Sequence, residues 1–267
     1  MAQQSPVGKS TPLKVGDSVV DSTGKTQVFI PAGEFIMGDS RGPDEDEQPP
    51  HEVQLTKPFW MDQMEVTRSE YQACVKAGRC LWPLRRRTRP IEPLGRTQKE
   101  NWGLKYCPGR AFRSPPDHPV ACLNFHEARW FCEEWRGGRL ATEAEWERAA
   151  RGKLEGKRYP WGNQAPSRKR AHFAEFTGTK AVGRYKPNDF MLHDMAGSVW
   201  EWTSDWYDAA YYKHSPVKDP DGPCPGQAMC PGHRHKTMRG GSWITGSLGM
   251  RLSYRNHHRR WNRFTVV

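Results

Sequence analysis

Twelve tryptophans in a chain that turns at 22 prolines and 25 glycines leave little room for long regular elements. Each Pro stops a helix or removes a sheet hydrogen bond. The large indoles must still be packed, and a buried indole N–H needs an acceptor. This pattern predicts short strands and helices under long loops, around a core laced with polar groups. The 267 residues suffice for one large domain or two small ones. No linker-like stretch divides them, so we read one irregular α+β domain of short strands with about three helices. Residues 1–26 are polar and read as a tail, with the domain over 27–267.

The net charge of +11 favours polyanions. Arginine is clustered at Arg85, Arg86, Arg87 and Arg89, and again at Arg251, Arg255, Arg259, Arg260 and Arg263. This fits a phosphate-binding surface or, as the heavier reading, a solvated face with structural arginines. No helix-turn-helix, zinc-finger or RRM pattern accompanies it, so nucleic acid is a weak partner. Mean hydropathy is −0.89, and no apolar run approaches the ~18 residues of a spanning helix. The N-terminus has no basic segment followed by an apolar one. As it stands the chain reads as cytoplasmic; if processed, as secreted or periplasmic. Seven cysteines leave at least one unpaired within the chain. Cys74/Cys80 and Cys224/Cys230 share a C-x5-C spacing that suits two local disulfides, whereas zinc prefers shorter spacings with supporting His.

Residues 27–37 read as strand, Pro-Ala-Gly turn and strand, and 51–63 alternate as a strand. Thr67-Arg-Ser-Glu70, Asn124-Phe-His-Glu127 and Thr142-Glu-Ala-Glu145 are capping boxes, predicting helices over 68–77, 125–135 and 143–150. Residues 81–117 read as a long loop, and 236–243 and 250–255 as short strands. No P-loop, GxGxxG, GxSxG or HExxH is present. His257 and His258 are adjacent, so in a strand they face opposite sides; His233 and His235 could share one strand face. The segment Asp194-Met-Ala-Gly197-Ser-Val199-Trp200-Glu201-Trp202 sets two carboxylates around a glycine turn. Calcium takes such carboxylates together with main-chain carbonyls. A plain turn with two core indoles reads equally well.

These residues resemble a known family. Phe29-Ile-Pro-Ala-Gly-Glu-Phe-Ile-Met-Gly38, Glu47-Gln-Pro-Pro-His-Glu-Val-Gln-Leu55 and Glu65-Val-Thr67 with Tyr71 look like the opening of formylglycine-generating enzyme (sulfatase-modifying factor) domains. His118-Pro-Val120, the run Gly138 to Gly152, Tyr159-Pro-Trp-Gly-Asn163, the run Asp194 to Asp205 and Met238-Arg-Gly-Gly-Ser-Trp243 continue the match in order. The resemblance implies an irregular variant of the C-type-lectin fold. It implies one structural calcium held by Asp194, the Gly197 and Val199 carbonyls and Glu201. The family's other calcium loop looks shortened around His172–Val182. Trp200 and Ser242 resemble pocket residues.

Members that make formylglycine bind copper(I) through two cysteines after the Gly-Gly-Ser strand. Here those positions fall at about Thr245 and Met250, and no Cys follows Cys230. A soft metal needs thiolates, so copper is not expected. Relatives also continue past the position of Val267 with a further strand, often carrying a Cys that pairs with the one matching Cys132. That strand is expected to be missing here, or completed by another segment, with Cys132 the odd thiol. A non-catalytic branch includes the variable proteins of diversity-generating retroelements, whose variable stretch follows a Gly-Gly-Ser-Trp-like motif. The corresponding surface here would comprise Trp243, Ile244, Thr245, Arg251, Tyr254, Arg255, Asn256, His257, His258 and Trp261, beside Trp200 and Ser242. Aromatic and Arg side chains bind at low entropic cost. The leading expectation is thus a binding module for a protein or glycan. The alternative is a protein-modifying oxidoreductase with a non-standard site.

Overall fold

The computed structural model describes residues 13–81, 114–175 and 177–263. Arg85–Arg89 and most of the expected 81–117 loop lie outside them. Among the described residues, antiparallel sheets of three, two and three strands carry the architecture. β1 (Ser18–Val20) folds back onto β2 (Thr26–Ile30), so the expected polar tail is already structured from residue 18. The turn after β2 leads to β3 (Gly33–Met37) in a different sheet, where it pairs with β4 (His51–Leu55). The single strand expected over 51–63 is two. It breaks before Pro58, and β5 (Phe59–Asp62) returns to pair with β2.

The three helices start at their capping boxes. α1 (Arg68–Lys76), α2 (Phe125–Trp130) and α3 (Glu143–Arg151) are capped by Thr67, Asn124 and Thr142, each with the reciprocal glutamate bond. α2 continues as a π-helical turn over Phe131–Trp135. The cap of α3 supports the helix that carries the core, since Trp146, Ala149 and Ala150 pack against Val28, Ile30, Phe190, Leu192 and Leu252. Thr142→Ala is expected to cost about 1 kcal/mol, with Thr142→Ser restoring most of it, as read by denaturant unfolding.

Three core indoles find acceptors. Trp146 donates to Glu201 (2.8 Å), Trp202 to the Leu123 carbonyl (3.2 Å) and Trp206 to the Gln227 carbonyl (3.0 Å). Disulfides join Cys74 to Cys80 and Cys224 to Cys230, and Cys122 is also disulfide-bonded. Cys132 is a free thiol.

Towards the C-terminus the strand expectations need correction. β6 (Glu201–Trp206) pairs with β7 (His235–Arg239), which ends before the Gly-Gly turn instead of reaching 243. Residues 250–255 form no strand. A 3-10 turn over Ser247–Met250 is followed by a bent stretch, and the last strand is β8 (Asn256–Arg259). The cause is electrostatic: Arg251 and Arg255 turn inward to buried carboxylates instead of alternating across a sheet. Among the described residues no helix is long and apolar enough to cross a membrane.

Candidate functional site

The segment from Asp194 to Glu201 is a knot of unusual backbone. Asp194, Gly197 and Ser198 all have positive φ. Gly197 admits no side chain, because a Cβ there would lie 2.4 Å from the His172 carbonyl oxygen. Its N–H donates to the Gly240 carbonyl (2.8 Å), and the Trp243 N–H donates to the Ser198 carbonyl (2.8 Å). The knot is therefore sewn to the Gly240-Gly241-Ser242 turn.

Three carboxylates gather around it. Asp194 is buried and accepts from the Gly183 N–H (2.7 Å); Glu201 accepts the Trp146 indole. Glu65 accepts from the Ser198 hydroxyl (2.9 Å) and the Val199 N–H (3.2 Å). Glu65 and Glu201 are half-buried on the wall of a cleft of about 340 Å³. Desolvation, then the Asp194 charge, raises the Glu201 carboxyl to about 7. Desolvation likewise raises Glu65, helped by Asp194 and Glu201, and raises Asp194 itself. The charges that bear most on this group are its own, apart from His193 beside Asp194. The Gly197 and Val199 carbonyls accept no hydrogen bond from the described residues. Carboxylates beside these carbonyls are the kind of hard oxygen donors that calcium takes. Among the described residues no three His, Cys, Asp or Glu side chains converge tightly enough to hold an ion by themselves. The carbonyls would therefore be needed.

Around His172 charge is balanced differently. Glu175 lies 2.9 Å from Lys180 and 3.3 Å from Arg168, so side chains supply the positive charge there. His172 is buried with neither ring nitrogen hydrogen-bonded. Burial and then Lys180 push it down to about 4, so it is neutral.

Beyond the Gly-Gly turn, Ser242 is buried and its hydroxyl meets that of Thr245 at 2.8 Å. Met250 is fully buried in a cluster with Tyr159, Ala171 and Ala196. Trp200 lies 5.8 Å from Tyr254, ring to ring, both half-buried. A Cβ at Gly249 would touch both Trp200 (3.7 Å) and Thr245. Trp200, Ser242, Thr245 and Tyr254 thus surround one spot. The remaining sequence-predicted residues divide. Trp243 is buried; Arg251 binds Glu47 and Asp44; Arg255 binds Glu143, so none of these three is offered to solvent. Ile244 and the β8 residues Asn256, His257 and His258 are half-buried, and Trp261 is exposed.

No thiolate pair is available at this spot among the described residues. Cys224 and Cys230 are joined to each other. Burial, then the Asp62 charge, raises the free Cys132 thiol to about 12.

Residues 15–265 match the model of the sulfatase-modifying factor enzyme 1-like domain. The chain belongs to this family. A formylglycine-generating enzyme from Streptomyces coelicolor is 33% identical, over 91% of this chain and 86% of that protein. The structure of PvdO from Pseudomonas aeruginosa superposes with a TM-score of 0.73 at 25% identity, covering 95% and 96% of the two chains. Treponema denticola variable protein 1 shares the fold, with a TM-score of 0.67 at 21% identity, covering 93% and 95%. In this sulfatase-modifying-factor domain, Glu65 is a carboxylate of the cluster that the sequence did not single out as a candidate ligand. It stands in the matched Glu65-Val-Thr67 stretch, but nothing in that stretch places it beside Ser198. Its role follows from a partner loop more than 130 residues away.

Proposed function

We propose that this sulfatase-modifying-factor domain is a non-catalytic binding module. A structural calcium ion fixes its Asp194–Glu201 loop, and a protein or glycan ligand docks on Trp200, Ile244, Thr245 and Tyr254. The half-buried β8 residues Asn256, His257 and His258, with Trp261, extend that surface. Ser242 braces it from below, through its bond to Thr245. The observation that supports this reading is the chemistry past the Gly-Gly turn: Thr245 is hydrogen-bonded to Ser242 and Met250 is buried, about where, by the resemblance, formylglycine-forming members carry two cysteines. Calcium would be held by the Asp194 and Glu201 carboxylates with the Gly197 and Val199 carbonyls. It supplies charge neutralisation and loop order, which keeps Trp200 in register with Tyr254.

The pairing of the C-terminal arginines weighs against a polyanion at this face, although the net charge favours one. Arg251 and Arg255 are spent on internal carboxylates, and Arg263 pairs with Glu127. Display of a variable surface, as in retroelement variable proteins, is a narrower version that rests on fold likeness. It further requires a near-copy of the coding DNA differing at adenines; without one that version falls alone. A second reading, protein modification through a non-standard site, is favoured by the Streptomyces relative's name.

The test is binding to arrayed glycans and peptides by the wild-type chain and by Trp200→Ala and Tyr254→Ala. A ligand captured by the wild type is expected to bind each variant about 10- to 100-fold more weakly, as for an aromatic anchor. Capture unaffected by both substitutions would move the ligand off this face.

A further inference from the structure

β7 and β8 bring together two imidazoles that stand 22 residues apart in the chain. The register sets Thr237 opposite His257, so His235 is its diagonal neighbour on the same face. Their Nδ1 atoms lie 3.2 Å apart, with ring centroids at 4.9 Å and planes tilted by 34°. Those centroids are closer than a collinear N–H···N bond of that length allows, so in the chain alone the two rings share a bent N–H···N contact. Two imidazole nitrogens at ~2.0–2.1 Å from one ion span about 2.9 Å in square-planar and about 3.3 Å in tetrahedral geometry. The observed separation falls between the two.

The surroundings hold the pair in place. The Tyr207 ring stacks on His257 with centroids 3.7 Å apart. Its hydroxyl donates to Asp46 (2.7 Å), and the Arg255 guanidinium lies over it at 5.0 Å. Burial first, then the His235 and Arg255 charges, push the His257 imidazole down to about 4.

We propose that His235 and His257 form a two-nitrogen site for a borderline divalent transition ion, with copper(II) bound most tightly, ahead of nickel(II) and zinc(II). Among the described residues no third His, Cys, Asp or Glu side chain joins them. Water completes the coordination, and the ion is exchangeable. The site uses neither the calcium loop nor Trp200, and its chemistry differs from copper(I) on thiolates.

Copper(II) and zinc(II) are titrated separately into the tag-free full-length chain, and the copper complex is examined by electron paramagnetic resonance. The expected result is one tight site, with hyperfine coupling to two nitrogens. Affinity is expected to fall about 100-fold in both His235→Gln and His257→Gln. The exposed His214→Gln serves as control and should bind like the wild type. Absence of binding, a different nitrogen count, or unchanged affinity in either substituted chain overturns the proposal. If a variant fails to fold, imidazole ¹⁵N shifts of the wild type decide. Zinc(II) must then move both Nδ1 resonances, and a shift of neither overturns the assignment.

Discussion

Chelating calcium is expected to lower the thermal midpoint of this chain by about 5–10 °C at pH 8, and by far less at pH 5. The size follows from mass action. An ion at about 100 times its Kd stabilises the folded state by ~2.7 kcal/mol, and each kcal/mol moves the midpoint of a domain this size by roughly 2–4 °C. The pH dependence follows from the carboxyls. Glu201 titrates near 7 in the folded chain without the ion, against an ordinary 4.5. Between those values the unfolded chain binds fewer protons than the folded one, so stability falls as pH rises, and the loss is complete above about 7. Glu65 and Asp194, also raised, act in the same direction. Bound calcium would replace those protons and remove the penalty, so its expected benefit is full above this window and small below it. A midpoint indifferent to chelator at pH 8 would remove the ion from the loop.

Glu147→Gln is expected to destabilise the fold by about 3–5 kcal/mol, the usual consequence of leaving buried charges without their partner. Glu147 accepts from the Arg151 guanidinium (Nε, 3.0 Å), from Arg239 and from the Gly38 N–H (2.9 Å). All three side chains are at most 4% exposed. Arg239 in turn binds Glu143 at 2.9 Å, and Glu143 holds Arg255. Burial opposes ionisation of Glu147, yet Arg151 and Arg239 outweigh it and hold the carboxyl below its ordinary value. The amide keeps the shape and removes the charge, leaving two guanidiniums short of a counter-charge. On the conversion used above, the midpoint drops on the order of 10 °C. The exposed pair Arg129–Glu133 is the internal comparison. Its removal is expected to cost no more than about 1 kcal/mol. Equal losses at both sites would show that burial is not what makes the first network matter.

What could be read from the sequence was local. The three helix starts were legible because a capping box is complete within four residues. The two C-x5-C disulfides were legible for the same reason. The region 243–261 was not. Its arginines look like a surface stripe, but Arg251 reaches Glu47 across 204 positions and Arg255 reaches Glu143 across 112. Nothing near either arginine announces such a partner. The carboxylate cluster was half legible: Asp194, Gly197 and Glu201 form one segment, whereas Glu65 joins them only through the fold. The pairing of His257 with His235 was hidden likewise. The adjacent His257-His258 and the spaced His233-x-His235 drew attention separately, and only the β7–β8 register brings one member of each together.

The absence of a thiolate pair beyond the Gly-Gly turn carries the functional reading. It is tested most directly by oxygen consumption with a cysteine-containing peptide, reductant and copper(I). The expected result is a rate equal to that without the protein. Copper-dependent turnover above that background, with oxidation of the peptide cysteine, would contradict the reading and make this chain an enzyme.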